Sequence, residues 1–225
     1  MNLLAFDSST AVGCIAVYSD GQVKAELTLS VRRTHSEHLM PAIALVLELA
    51  GLQPADLSAV GVGIGPGSYT GIRIAVGTAM GLGYALHLPV IPVPSLEIIA
   101  MGVWPTTLRV VALQPARQDE VYLGSYRCLA EPPYLEQLTE LRVARLAELP
   151  AILGTEEAIL VGDGAVKHQA ALTDLLGQTA RFAPSELAHP QPANLAVLSA
   201  AKLALGHQRQ ALNLKPLYLR RPYVE

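Results

Sequence analysis

The sequence predicts an α/β protein built of two lobes, and three observations carry that prediction. Short β-rich runs alternate with longer helical runs over residues 1–104, which points to a sheet with helices packed on it. Residues 105–193 repeat the order in shorter form: paired strands, then a strand, a glycine loop and a helix. Charge also changes between the halves. Residues 1–100 hold 4 basic and 7 acidic side chains, which leaves 12 of each for residues 101–225 from totals of 16 and 19.

The elements follow in order. Asn2 to Phe6 reads as a buried strand that ends in the polar turn Asp7-Ser8-Ser9-Thr10. Cys14 to Tyr18 is a second strand. Asp20-Gly21 is a hairpin signal, and Val23 to Ser30 alternates as a third strand. Thr34-His35-Ser36-Glu37 has the form of a capping box and opens a helix that runs to Ala50 and stops at Gly51. Val60 to Ile64 is a strand leading into Gly65-Pro66-Gly67-Ser68-Tyr69-Thr70-Gly71, with a helix from about Thr70 to His87. A strand at Val90 to Val93 and a helix from Ser95 to about Val103 complete this lobe.

After a break near Pro105, Arg109 to Leu113 and Val121 to Arg127 form a hairpin. Ala158 to Val161 is a strand ending in Gly162-Asp163-Gly164, followed by a helix from Ala165 to about Leu176. A late helix, 194–206, is expected to pack back on the first lobe, and 207–225 is an extended tail.

Composition excludes several classes. Of 225 residues, 51% are hydrophobic and 16% charged, with a net charge of −3, which is unlike a disordered chain or a basic nucleic-acid coat. Cys14 and Cys128 are too few for a disulfide framework or a cysteine-rich metal site. The longest charge-free stretch, Ile74 to Leu96, is long enough for a bilayer, but Pro89, Pro92 and Pro94 would end a helix there. With no basic leader before Asp7, the expectation is a cytoplasmic chain without a membrane span.

The apolar excess concentrates on two helices. After Glu37, the helix to Ala50 carries only Glu48 as a charge, and the helix from Thr70 to His87 carries only Arg73. The second helix has two rows of small residues, Gly71-Ala75-Ala79-Gly83 and Gly77-Gly81-Ala85, which let another backbone approach closely. A helix that is apolar all round must be covered all round, by the chain's own core or by a partner.

Two segments invite a chemical reading. The strand, glycine turn and helix start at 61–71 resemble an anion site, yet neither a G-x-G-x-x-G register nor a Walker lysine is present. Asp7 with Ser8, Ser9 and Thr10 could orient a phosphate and its metal ion, or be ordinary turn chemistry. His35 and His38 could share a helix face, but no third metal ligand is near and neither metalloprotease spacing occurs. No G-x-S-x-G elbow is present, so no catalytic residue is assigned.

The turn at Leu4-Ala5-Phe6-Asp7-Ser8-Ser9-Thr10 with its hairpin resembles the opening of the actin-like ATPase (ASKHA, ribonuclease H-like) domain. Thr34-His35-Ser36-Glu37-His38-Leu39-Met40-Pro41, Gly65 to Arg73, Glu120-Val121-Tyr122 and Pro216-Leu217-Tyr218-Leu219-Arg220 resemble, in order, the bacterial TsaB (YeaZ) family. That resemblance implies two actin-like lobes, the second reduced. It implies a non-catalytic subunit that binds and activates TsaD, with TsaE, to place threonylcarbamoyl on the adenosine beside a tRNA anticodon. It also implies a homodimer when the chain is alone, tRNA contact only through the complex, and no firmly bound cofactor. ATP or ADP and a metal ion are expected on the partner complex. Relatives of TsaD carry H-x-x-x-H for metal, and His35-Ser36-Glu37-His38 is one residue short of that. The family commonly has Asp-Ala-Arg in the second-lobe hairpin, where this chain has Pro115-Ala116-Arg117. Gly162-Asp163-Gly164 falls where actin-like ATPases have an adenosine loop.

The expected partner or dimer surface is His35, His38, Leu39, Met40, Ile43, Leu47, Ile72, Arg73, Val76, Ala79, Met80 and Gly83. The expected vestigial phosphate loop is Asp7, Ser8, Ser9, Thr10, Gly65, Gly67, Ser68 and Thr70. The alternatives are a small ATP-dependent phosphotransferase using Asp7 and the 65–71 loop, and a glycoprotease-like metallopeptidase using His35 and His38.

Overall fold

Apolar strands at the N-terminus pair with one another because each has a face to bury. In a computed structural model, described over residues 1–30 and 35–220 without the side chains of His35 and Ser36, β1 (Asn2–Asp7), β2 (Gly13–Ser19) and β3 (Gln22–Leu29) form an antiparallel meander. Parallel β4 (Ala59–Gly63) and β5 (Val90–Val93) extend it on the other side of β1, giving the order β3-β2-β1-β4-β5. β1, β2 and β4 are almost wholly buried, whereas β3 alternates exposed and half-buried as an edge strand does.

Three helices cover this sheet. α1 (His35–Leu49) packs on β2 and β3, and α2 (Tyr69–Ala85) packs on β4 and β1. α7 (Pro192–Ala204) crosses all five strands. It approaches closely because the strands beneath it present small residues: a Cβ at Gly61 would overlap the Ser199 hydroxyl and touch Ala5. Thr34, the expected helix cap, lies outside the described residues.

One compact unit comprises 1–98 and 190–217, and the other 99–189 and 218–225. The first therefore ends before Trp104, and the tail divides at Leu217. Trp104 belongs to the second unit, where its indole Nε1 donates to the Leu129 carbonyl (2.9 Å) and its ring meets Tyr134 edge-on.

The second unit repeats the topology of the first. β6 (Arg109–Pro115) pairs antiparallel with β7 (Glu120–Cys128), which carries both β8 (Leu135–Gln137) and β9 (Arg142–Arg145) on its far side. β10 (Ala158–Val161) and β11 (Ala180–Phe182) run parallel to β6 on its other side. The order is again 3-2-1-4-5, with the third strand split into β8 and β9. The fold is thus two actin-like lobes. The second is reduced: its helices α4 (Leu149–Leu153), α5 (Asp163–Lys167) and α6 (Gln169–Leu176) are short.

Some expected elements differ. The helix expected over 165–176 is two, broken at His168, whose φ of −109° leaves the helical region. The helix from Ser95 is α3 (Ser95–Ala100) followed by one 3-10 turn, Met101–Val103. β8, β9 and β11 gave no sequence signal, because charged or polar residues break them up, unlike the apolar runs of β5 and β10. No described helix is long and apolar enough to cross a membrane, so Ile74 to Leu96 is not one span.

Candidate functional site: a closed turn beside two half-exposed helices

The β1–β2 turn and the β4–α2 turn are built around one another. Asp7, Ser8 and Ser9 are essentially inaccessible, and Thr10 is buried. Asp7 Oδ1 accepts from the Ser9 amide and Asp7 Oδ2 from the Ser95 hydroxyl, each at 2.6 Å. Ser95 Oγ in turn accepts from the Gly65 amide (3.1 Å), while the Ser95 amide donates to the Gly65 carbonyl (2.8 Å). The Ser8 hydroxyl donates to the Gly71 carbonyl (2.8 Å), and the Ser68 amide to the Ser9 carbonyl (2.7 Å).

The glycines of this turn make room for the chain itself. A Cβ at Gly67 would overlap the Ser9 carbonyl, and one at Gly71 would overlap the Ser8 carbonyl. Ser68 also caps α2 by accepting from the Gly71 amide (3.3 Å). A phosphate loop leaves such amides pointing at a ligand; here the β1–β2 turn takes the Ser68 amide and the Ser68 cap takes that of Gly71. Of the eight residues expected in a vestigial phosphate loop, Asp7, Ser8, Ser9, Gly65, Gly67 and Ser68 meet in these contacts, whereas Thr10 bonds to Val12 within its own turn and Thr70 is exposed. Ser95 joins them although nothing in the sequence links it to a carboxylate 88 positions away.

The expected partner surface divides in two. Leu39, Ile43 and Leu47 on α1, and Ile72, Val76, Ala79 and Gly83 on α2, are buried in the chain's own core. This corrects the expectation for those seven. The row Gly71-Ala75-Ala79-Gly83 admits the chain's own neighbours: a Cβ at Gly83 would press on Val90 and Ala211. His38, Met40 and Arg73 are exposed and Met80 is half-buried, while the side chain of His35 lies outside the described residues.

The outward faces hold residues that the expectation did not include. On α1 they are Pro41, Ala44, Leu45, Glu48 and Leu49; on α2 they are Tyr69, Gly77, Gly81, Tyr84 and Ala85. Leu49 and Tyr84 are about two-thirds exposed, at 65% and 64%. A Cβ built at Gly77 or Gly81 meets nothing within 4 Å, so the second small-residue row lies on an open face of α2. Arg73 lies over the Tyr69 ring, its guanidinium carbon 4.0 Å from the ring centre, which holds both side chains against the helix.

Burial pushes the thiols of Cys14 and Cys128 up, the reverse of an activated thiolate. No group of three His, Cys, Asp or Glu side chains suited to a metal ion occurs among the described residues. In the second unit, burial raises the Asp163 carboxyl to about 6, opposed by the amides of Asp163 and Gly164 and the charge of Lys167. The Gly162 turn closes on β6, since a Cβ there would overlap the Leu113 carbonyl.

Comparison with known proteins agrees with this architecture. The family described as TsaD: tRNA N6-adenosine threonylcarbamoyltransferase matches residues 25–225. The tRNA threonylcarbamoyladenosine biosynthesis protein TsaB of Bacillus subtilis is 31% identical over 98% of this chain and 94% of its own length. The protein of the same name from Escherichia coli is 37% identical over 56% of this chain and 55% of its own length. The YeaZ structure from Pseudomonas aeruginosa aligns with a TM-score of 0.84 at 28% identity, covering 97% of this chain and 99% of that one. The ROK hexokinase of Thermus thermophilus shares the fold alone, with a TM-score of 0.51 at 13% identity, covering 92% of this chain and all of that one. The chain belongs to the TsaB (YeaZ) family, whose curated members are named for tRNA threonylcarbamoyladenosine biosynthesis.

Proposed function

We propose that this chain is a non-catalytic subunit that docks on a TsaD-type partner through the outward faces of α1 and α2, and so supports threonylcarbamoyl transfer to tRNA. The observation that carries the proposal is the open Gly77–Gly81 face of α2, flanked on the same helix by Arg73 and Tyr84. α1 touches α2 and adds Met40, Leu45 and Leu49. Exposed glycines inside a helix cost about 0.5–1 kcal/mol each relative to alanine. A partner helix seated on this face would offset that cost by close backbone contact.

In this proposal the chemistry, with ATP or ADP and a metal ion, belongs to the partner complex. TsaE and tRNA join through that complex, in the cytoplasm, and the isolated chain pairs with itself by the same faces. The phosphotransferase alternative is less well supported. It needs Asp7 and the 65–71 loop open to a phosphate, and both oxygens of Asp7 already accept hydrogen bonds within the chain.

The test uses Gly77→Glu and Gly81→Glu. Replacing exposed helical glycines preserves folding, because the added side chains enter open space. The variants are expected to melt at or above the parent temperature, yet fail to co-purify with TsaD and fail to support tRNA modification in reconstitution. Variants that still co-purify and support modification would exclude this face. Ile43→Glu is no substitute for this test, since it buries a charge in the core and unfolds the lobe.

A further inference from the structure

The two edges of the first sheet differ. At β5 the outer side is closed. The Val90 amide donates to the Arg209 carbonyl (2.9 Å), the Arg209 amide donates back to the Val90 carbonyl (2.7 Å), and Pro92 has no N–H to offer. At the other end of the sheet, β3 pairs with β2 alone. Among the described residues, no backbone group of 22–29 bonds to anything outside that pairing. One side of an 8-residue strand therefore presents N–H and C=O groups that a further strand can satisfy.

The side chains of β3 alternate. Gln22, Lys24, Glu26 and Thr28 are exposed, and Val23, Ala25, Leu27 and Leu29 are half-buried. Charges on an edge strand usually keep other strands away. Two charges of one sign would do so here. Instead Lys24 and Glu26 carry opposite signs and flank Ala25 on the same exposed face. Neither joins an ion pair among the described residues.

These two charges match each other in one antiparallel register. When two copies of β3 run antiparallel about Ala25, Lys24 of each stands opposite Glu26 of the other, Gln22 opposite Thr28, and Val23 opposite Leu27. Centring the pair on Lys24 or on Glu26 instead sets like charges directly opposite, which is unfavourable. A slip of a single residue sets the exposed row of one copy level with the half-buried row of the other.

We propose that the β3 edge is a pairing surface for a second copy of this chain, joined antiparallel about Ala25 so that each Lys24 meets a Glu26 and the two sheets run on as one. The backbone groups supply the attraction, and the charges set the register. Neither residue lies on α1 or α2, so this pairing is separate from the docking proposed above, and either can fail without the other.

The test is sedimentation equilibrium of the full chain, at concentrations up to about 200 μM because one pair of strands is a small interface. The parent is expected to self-associate, less strongly at about 200 mM salt than at about 50 mM. Lys24→Glu sets acid opposite acid and Glu26→Lys sets base opposite base. Each variant alone is expected to associate about tenfold more weakly than the parent. An equimolar mixture of the two variants restores opposite charges, as does the double variant Lys24→Glu/Glu26→Lys. Both are expected to return to within about threefold of the parent. The two positions are exposed, so every variant is expected to melt with the parent. Pairing through α1 and α2 would be blind to these exchanges. No association by the parent, single variants that associate as the parent does, or a mixture or double variant no tighter than the single variants would overturn the proposal.

Discussion

The Ser95 hydroxyl donates to Asp7 Oδ2 at 2.6 Å, joining the start of α3 to the end of β1 inside the core of one lobe. The Asp7 carboxylate is thus a structural acceptor. Ser95→Ala leaves a buried carboxylate oxygen one donor short. A hydrogen bond to a charged group contributes about 1.5–3 kcal/mol. The expected result is a loss of about 2 kcal/mol, a fall in melting temperature of about 4–8 °C for a chain of this size, with no change in any nucleotide binding. Differential scanning calorimetry and nucleotide titration of the same preparation check both halves.

Lys202 on α7 places its ammonium 2.9 Å from Glu97 on α3, and both side chains are largely buried, 16% and 9% exposed. Burial raises the Glu97 carboxyl, with the charge and hydrogen bond of Lys202 and the charge of His207 opposing it. Lys202→Met keeps the apolar stem and strands the carboxylate. Breaking a buried pair from one side costs about 3–5 kcal/mol. A carboxyl whose folded pKa lies above its unfolded value stabilises the fold in its protonated form, so the cost of the substitution should shrink on acidification. Urea unfolding of parent and variant at about pH 8 and about pH 5 tests this; a pH-independent difference would refute the assignment.

Asp163 gives a second pH signature. Its carboxyl is raised from 3.8 to about 6 in the folded chain by burial. The folded state therefore holds more protons than the unfolded one between those values, and this contribution to stability falls as pH rises from about 4 to about 6. At one pKa unit per 1.36 kcal/mol, the stability lost there is up to about 3 kcal/mol. Asp163→Asn removes that slope. The variant should gain on the parent steadily across this window and hold its advantage above it. Parallel melting curves in buffers from about pH 4 to about pH 8 would show no divergence if the carboxyl titrates normally.

How much was legible in the sequence depends on how local the signal was. Strand and helix identities in the first lobe follow from the Asp20-Gly21 turn, the runs of buried β-formers, and the glycine loop before Tyr69. Each is decided by neighbours within a few positions. The motifs at Gly65 to Arg73 and Glu120-Val121-Tyr122 likewise carried the family. The short strands β8, β9 and β11 were not legible, because none is a run of apolar β-formers like the equally short β5 and β10, and their pairing is supplied by β7 and β10.

By itself, the sequence determined the α/β class, the two-lobe order, and two helices too apolar to be exposed on all sides. It also showed two small-residue rows on α2, but not which faces outward, because both have the same spacing and differ only in helical phase. Tertiary structure decided that. Gly71, Ala75, Ala79 and Gly83 turn inward, and Gly77 and Gly81 turn outward. The same holds for the turn at Asp7. A carboxylate beside hydroxyls and a glycine loop is compatible with a phosphate site or a closed turn. The partner that closes it, Ser95, lies far along the chain and is brought there only by the packing of α3 against the end of the sheet.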